Sequence, residues 1–478
     1  MKDGEHDACR IYDLDYEAIL TDNFTESILF LNQTLSSSNE TEELSCDAWN
    51  YDRSAMTETV VTQWNLVCDN KWMMEHGILL NFLGFLVGSL FSGFVSDRLG
   101  RKVAFLGSLT CMCVSGIVLS FVPSYTWFMI IRFFFAMFKM STSLSNYCYA
   151  MESMTGKVRN WVGGFFWIPF AFGYSLLAGI AWLTRDWSLL NLWISAPCLI
   201  LAFFWCVIPE SPRWLLVNGK IEKARKELEW AAKLNGRTLP DVNLSLISSD
   251  LLEQEKATTT GKESFLTIFK YKPLMFRAVV IWIIWFVNTM VYYGLALNVS
   301  SFSGNVFLNN ALAGAPVEIP AYILTGFLLH LGRKPACYLA LFFCAFCLIG
   351  TPWIPEGWFK TVLGLAGKLG ITISFAVIYV FTTELYPTVI RNSGLSTSSA
   401  ISRLGPMIAP YISSLSKLGK SYAWLPLFIF GGVAFIGAFA TFLLPETLGQ
   451  KMPEQFTDAL NLGKKKATKD VPQDTEDL

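Results

Sequence analysis

Eleven long apolar runs, each ended by a short polar break, set the pattern of this chain. They fall at 75–95, 103–122, 126–150, 161–183, 189–208, 276–297, 308–331, 335–354, 359–383, 393–415 and 423–444. A run of about 20 apolar residues is long enough to cross a bilayer as a helix. In hydrocarbon a segment must satisfy its own backbone donors and acceptors, which selects helices over an open sheet. The pattern predicts an all-α membrane protein with eleven helices. Two polar stretches interrupt it, and the expected domains follow: an outer loop over 1–72, a five-helix bundle over 73–208, a linker with an amphipathic helix over 209–275, a six-helix bundle over 276–445 and a tail over 446–478.

Charge sorts the connections into two alternating sets. Asp97–Lys102, Lys157–Asn160, residues 209–275, Gly332–Pro335, Arg391 and the tail with Lys464–Lys466 are basic. Pro123–Tyr125, Asn298–Asn309 and Pro355–Trp358 lack Lys and Arg, and only Arg185, Lys417 and Lys420 weaken the contrast. The basic set belongs in the cytosol. That places residues 1–72 outside and the C-terminus inside, in the plasma membrane. The outer loop carries three glycosylation sequons, at Asn23, Asn32 and Asn39. It also holds Cys9, Cys46 and Cys68, an odd number for an oxidising space. Cys344 and Cys347 share a helix face without polar neighbours and read as packing residues.

Composition agrees. The 478 residues are 53% hydrophobic and only 16% charged, against about 25% charged in soluble domains. A formal net charge of −1 gives no reason to expect nucleic acid as a partner. In the linker, Ser211 followed by Pro212 reads as a helix cap and first position. Ile221, Ala224, Leu228, Ala231 and Ala232 form one apolar helix face beyond it. Asn243-Leu-Ser is a sequon on the cytosolic side and is set aside. The polar tail ends in Thr475-Glu-Asp-Leu478, which loosely resembles a peptide that adds to a sheet edge of a scaffold domain.

The chain repeats itself. Leu99-Gly100-Arg101 recurs as Leu331-Gly332-Arg333, Glu152–Asn160 as Glu384–Asn392, and PESPRW as PETLGQ, each in the same place within its half. Such a register resembles the major facilitator fold, two parallel six-helix bundles. The run at 276–297 has no counterpart in the first half, so the first helix of the repeat is expected ahead of residue 1, with a naturally shortened isoform as the alternative. All repeated motifs lie on the expected cytosolic side. Asp97, Glu152 and Glu210 can meet Arg98, Arg101 and Arg159; Glu384 and Glu446 can meet Arg333, Lys334 and Arg391. This reads as a latch of weak ion pairs, each worth about 0–1 kcal/mol where exposed. Asp97 maps onto Leu329, so the second copy lacks that acid.

Charges deep in a spanning helix cost about 2.5–3.5 kcal/mol on insertion scales and mark candidate sites. Lys139, Glu318, Lys368 and Arg403 are such charges; Arg132 lies nearer a helix end. Pro320, Pro406 and Pro410 bend their helices. Tyr292 and Tyr293, with Trp282, Trp285, Phe375 and Tyr379, are candidate aromatic walls. Three bases and one acid suit a carboxylate or sulfate, with Arg403 its bidentate partner and Glu318 available for a cationic end. In a competing arrangement Lys139 and Glu318 neutralise each other.

With these residues in view, the match becomes specific. CDAWNYDRSAMTETVVTQWNLVCD at 46–69, SDRLGRK, PESPRWLL, TTELYPTVIRN and PETLGQKMPE together resemble the organic ion transporter family of the major facilitator superfamily. The resemblance covers the whole chain and implies a secondary active or facilitative carrier of small organic ions, working by alternating access. Cation-carrying members place an Asp where this chain has Arg403, which resembles the carnitine/zwitterion and anion branches. VEIPAY at 317–322 is similar to the carnitine-type branch; anion carriers usually have Lys where Tyr322 stands. Carnitine-type members carry Gln where this chain has Lys139. The resemblance implies a zwitterion or anion, carnitine-like or an aromatic carboxylate, as substrate. The alternatives are a classical organic cation transporter and a truncated, non-transporting isoform. No metal, cofactor or phosphate-loop motif is present, which argues against an enzyme and a nucleotide-driven pump. The coupling ion is left open.

Overall fold

A computed structural model describes residues 9–12, 43–46, 48–154, 158, 166–239, 243–260, 265–355, 357–387, 390–418, 422–450, 453 and 456–462. The sequons at Asn23, Asn32 and Asn39, the gate candidate Arg159, and the tail from Lys464 to Leu478 lie outside the described residues. The chain divides into two units.

The smaller unit comprises residues 1–76 with Arg185–Trp187. Strands β1 (Arg10–Tyr12) and β2 (Glu43–Ser45) pair antiparallel, Ile11 facing Leu44. The apolar pattern carried no signal for this ribbon, because three-residue strands are too short to show a period. Cys9 and Cys68 form a disulfide, and Cys46 is the odd thiol. One helical turn, Val60–Gln63, is capped reciprocally by Thr59 and Thr62. The Arg185 carbonyl accepts from Thr57 N and Oγ1, each at 2.7 Å. The Trp187 indole donates to Gln63 Oε1 at 2.7 Å.

The larger unit, residues 77–184 and 188–478, is helical, and two of its helices take their first residues from the smaller unit. Before the linker come α1 (Trp72–Leu99), α2 (Arg101–Leu119), α3 (Tyr125–Ser153), α4 (Ile168–Thr184) and α5 (Trp187–Cys198). After Pro197, α5 tightens into a 3-10 segment, Leu199–Cys206. The linker folds as α6 (Pro212–Val217), α7 (Ile221–Leu234) and α8 (Leu244–Thr260). Then follow α9 (Lys272–Asn298), α10 (Val306–Ala313), α11 (Ala315–Leu328), α12 (Arg333–Gly350), α13 (Trp358–Leu385), α14 (Arg391–Ser402), α15 (Leu404–Ser413), α16 (Leu425–Phe442) and α17 (Phe456–Asn461).

Among the described residues, nine helices are long and apolar enough to cross a membrane. The other two of the eleven expected runs differ for physical reasons. The run at 161–183 is described only from Phe166, and its helix, Ile168–Thr184, has 17 residues. The run at 393–415 divides at Arg403 into α14, whose RNSGLSTSSAIS is too polar to count, and α15. Pro406 contributes to that division. It has no N–H for the Ser402 carbonyl, which accepts from Thr289 Oγ1 of α9 at 2.6 Å instead.

Small residues bring helices close. A Cβ on Gly84 of α1 would lie 2.6 Å from the Phe133 carbonyl oxygen of α3. Further along, Ser92 and Ser145 hydroxyls meet at 3.0 Å, and Ser108 and Ser141 at 2.7 Å. Apolar side chains after the linker form one large core that includes Cys337 and Cys344. In the linker, Trp214, Leu215, Leu216, Ala224 and Leu244 form a separate core, with Ile221 and Leu228 packed on it. Ser211 caps α6 as the sequence predicts, its Oγ accepting from Trp214 N at 3.3 Å.

Candidate functional site

Glu318 and Lys368 meet inside the helices. Glu318 opens α11 and Lys368 lies mid-way along α13; both side chains are fully buried. Glu318 Oε1 is 3.4 Å from Lys368 Nζ and accepts from the Tyr292 hydroxyl at 2.5 Å. Its Oε2 accepts from Tyr322 at 3.4 Å, one helical turn on. Lys368 Nζ also donates to the Ala313 carbonyl at 2.5 Å and stands 4.1 Å from the Tyr174 ring centroid. Buried charges persist when paired and hydrogen-bonded in this way. Glu318 is therefore not free to hold a cationic group, and Lys139 is not its partner. Lys139 is exposed, with its ammonium 5.6 Å from the Phe85 centroid.

Arg403 is different. It sits half-buried between α14 and α15, and its Nε is buried without a hydrogen-bond partner among the described residues. A guanidinium N–H that meets no protein acceptor suits an anionic ligand.

The aromatic residues divide by burial. Trp285 is fully buried; it packs on Tyr379 at 4.5 Å between centroids and donates to Thr382 Oγ1 at 2.9 Å. It is a core residue that positions Tyr379, not a wall. Tyr292 is buried too and spends its hydroxyl on Glu318. Half-buried Tyr293, Phe375 and Tyr379 remain as surfaces for a ligand. Phe82 of α1 meets Tyr293 at 4.9 Å, and Trp167 meets Tyr379 at 6.2 Å, so both halves of the chain contribute rings. Sequence reasoning missed Tyr174 and Phe82, which sit in apolar runs where one ring looks like another. Tyr322, four residues after Glu318, was findable from helical spacing.

A second constellation lies where the repeated motifs fall. In its first copy, Arg101 Nε bonds both Glu152 oxygens, at 3.1 and 3.2 Å, and Ser211 Oγ donates to Glu152 Oε2 at 2.7 Å. In the second, Arg333 Nε bonds both Glu384 oxygens at 3.0 Å, and Thr447 Oγ1 donates at 2.6 Å. Asp97 binds Arg101 Nη1 at 2.8 Å; the second copy, lacking that acid, uses the Leu329 carbonyl at 3.2 Å from Arg333 Nη1.

Several gate candidates take other roles. Among the described residues, Glu210 and Glu446 pair with no basic side chain. They cap helices: Glu210 Oε1 accepts from Lys102 N at 2.9 Å, while Glu446 accepts from Arg333 N and Lys334 N at 2.9 and 3.1 Å. Carboxylates at helix N-termini also meet the positive end of the dipole. Arg98 stacks over Phe94 at 4.3 Å instead of meeting an acid. Arg391 has Nε and Nη2 buried without partners among the described residues. Lys334 Nζ bonds the Phe442 carbonyl at 2.8 Å. Each copy closes within its own half of the chain, so the pairs fasten helix ends inside a half.

Comparison with known proteins places this geometry. The family model for sugar (and other) transporters matches residues 25–458. The organic cation transporter protein of Drosophila melanogaster is 35% identical over 479 residues, covering 98% of this chain and 84% of that protein. Solute carrier family 22 member 6-A of Xenopus laevis is 32% identical over 460 residues, covering 95% and 80%. Among solved structures, the inward open xylose transporter XylE from E. coli shares the fold, with a TM-score of 0.62 at 18% identity over 82% of this chain and 92% of that one.

Proposed function

Because the chain belongs to the sugar (and other) transporter family and, within it, to the organic ion transporters of the major facilitator superfamily, we propose that it carries small organic anions or zwitterions across the plasma membrane by alternating access. It is a multi-pass membrane transporter, not an enzyme. The observation that carries the substrate reading is the contrast between two charges. Glu318 is held by Lys368, Tyr292 and Tyr322, whereas Arg403 keeps a buried N–H unpartnered. An aromatic carboxylate or a carnitine-like zwitterion would place its carboxylate on Arg403 and its body against Tyr293, Phe375 and Tyr379. A trimethylammonium end gains from the same rings. Lys139 adds a second positive charge before the linker. A classical cation carrier, the reading that the name of the Drosophila relative favours, requires Lys368 to leave Glu318 first.

Uptake of radiolabelled benzoate, carnitine and tetramethylammonium, with and without sodium, tests this. Benzoate or carnitine accumulates in expressing cells and tetramethylammonium does not. Accumulation of tetramethylammonium alone overturns the reading. In the same proposal residues 1–72 lie outside, with glycans on Asn23, Asn32 and Asn39, and the C-terminus lies in the cytosol.

The two charged copies act as a latch by setting the angle of helix ends within each half. Glu384→Gln removes one charge from the Arg333–Glu384–Thr447 set. It is expected to shift the inward/outward balance severalfold, since two states of a carrier differ by only a few kcal/mol. Two-sided labelling of introduced cysteines measures the shift, and identical labelling in the variant counts against a latch.

A further inference from the structure

Leu312-Ala-Gly-Ala-Pro316 interrupts a spanning helix, and side chains from two other helices close the interruption. Pro316 has no N–H to offer the Leu312 carbonyl. The N–H groups of Val317 and Glu318 both turn to the Gly314 carbonyl, at 3.1 and 2.8 Å, so the Ala313 carbonyl loses its donor from the next turn. Lys368 Nζ takes that carbonyl and also reaches Glu318 Oε1 on the far side of the break. A further gap lies between Ala311 O and Ala315 N, which bond each other in an uninterrupted helix; here Ala311 O keeps only a tighter-turn bond from Gly314 N at 3.3 Å. Ser175 Oγ of α4 fills it, donating to Ala311 O at 2.7 Å and accepting from Ala315 N at 2.8 Å. Gly314 permits the approach, since a Cβ there would lie 2.7 Å from Ser175 N.

The break is thus stapled twice. Lys368 comes from the same half of the chain as the broken helix, and Ser175 from the other half. We infer that this joint transmits the state of the Glu318–Lys368 pair to the contact between the halves, with Ser175 as its positioning residue. The inference rests on the alternating-access reading above. Lys368 touches both sides of the break, so any displacement of its ammonium releases Ala313 and Glu318 together. The angle between α10 and α11 is then held from the other half by one hydroxyl. That hydroxyl spans Ala311 and Ala315 only at their present spacing, because both of its bonds are already at ordinary length. A change of angle at the break is therefore a change of grip between the halves.

A double-mutant cycle tests the transmission. A cysteine at Thr142, three residues from Lys139, reports accessibility from each side of the membrane in chains carrying Ser175 or Ser175→Ala. Each is compared with and without the paired neutral change Glu318→Gln/Lys368→Met. Neutralising the pair is expected to change the labelling rate about threefold or more with Ser175 present and by less than about 1.5-fold with Ser175→Ala. A second measurement uses the intact pair: Ser175→Ala lowers the maximal rate of benzoate exchange while leaving its KM within about twofold, the split of a residue that acts outside substrate binding. Equal effects of neutralisation in both Ser175 backgrounds, or loss of benzoate binding in Ser175→Ala, overturn the inference and leave the transport reading standing. A parent chain whose labelling ignores benzoate, carnitine and tetramethylammonium overturns both.

Discussion

Arg403→Ala is expected to reduce uptake of benzoate or carnitine by about 30-fold or more, with surface expression unchanged. A hydrogen bond to a charged group contributes about 1.5–3 kcal/mol, and each 1.4 kcal/mol is about a factor of ten. Loss of a two-pronged guanidinium contact belongs at the upper end of that range. Surface expression survives because Arg403 Nε has no protein partner to orphan. Arg403→Lys separates geometry from charge. An ammonium keeps the positive potential and lacks the planar fork, so uptake recovers only in part. Radiolabelled uptake normalised to surface-biotinylated protein measures both variants. Unaltered uptake in Arg403→Ala would remove Arg403 from the site.

Different parts of this architecture were legible to different degrees. Period and length predicted the helices because hydrocarbon demands both at once. Even so, α14 and α15 show where that signal weakens: the polar run before Arg403 lines other helices and need not be apolar. The charged repeats were legible because a motif that recurs in register identifies its own partners, and Arg101–Glu152 and Arg333–Glu384 form matching contacts. Glu210 and Glu446 belonged to the same motifs, yet their role turns on the positive φ of Gly100 and Gly332, which aims backbone N–H groups at them. No charge pattern encodes that. Inside the membrane, sequence could count the charges but not match them. Lys139 and Lys368 look alike in an apolar run, and only packing distinguishes an exposed ammonium from one locked against Glu318. The proline pattern pointed to Pro320 as the bend in this helix, whereas the break lies just ahead of Pro316, with Pro320 inside α11. The group that repairs the break, Ser175, is a single hydroxyl in an apolar stretch, indistinguishable by type from any serine bonded to its own helix.

Lys368→Met is expected to lower the amount of folded protein more than any other single change at the buried site. It strands the Glu318 carboxylate, fully buried, on two tyrosine hydroxyls and leaves the Ala313 carbonyl without a donor. Breaking a buried pair from one side costs about 3–5 kcal/mol, a large part of the roughly 5–15 kcal/mol that holds a typical domain together. Glu318→Gln is milder. The ammonium keeps the Ala313 carbonyl and the face of Tyr174, and a glutamine still offers an oxygen to Tyr292. The double variant Glu318→Gln/Lys368→Met should recover most of the lost yield, because replacing both members of a buried pair is often neutral. The ranking parent, double variant, Glu318→Gln, Lys368→Met is measured by surface biotinylation and by thermal unfolding in detergent. It separates a pair whose members need each other from two charges that each meet solvent. If Lys368→Met folds as well as the parent, Glu318 has access to water and the site is wetter than its geometry implies. A carboxylate reachable by water is also reachable by a cation, so the same result would move the substrate reading from anions toward cations.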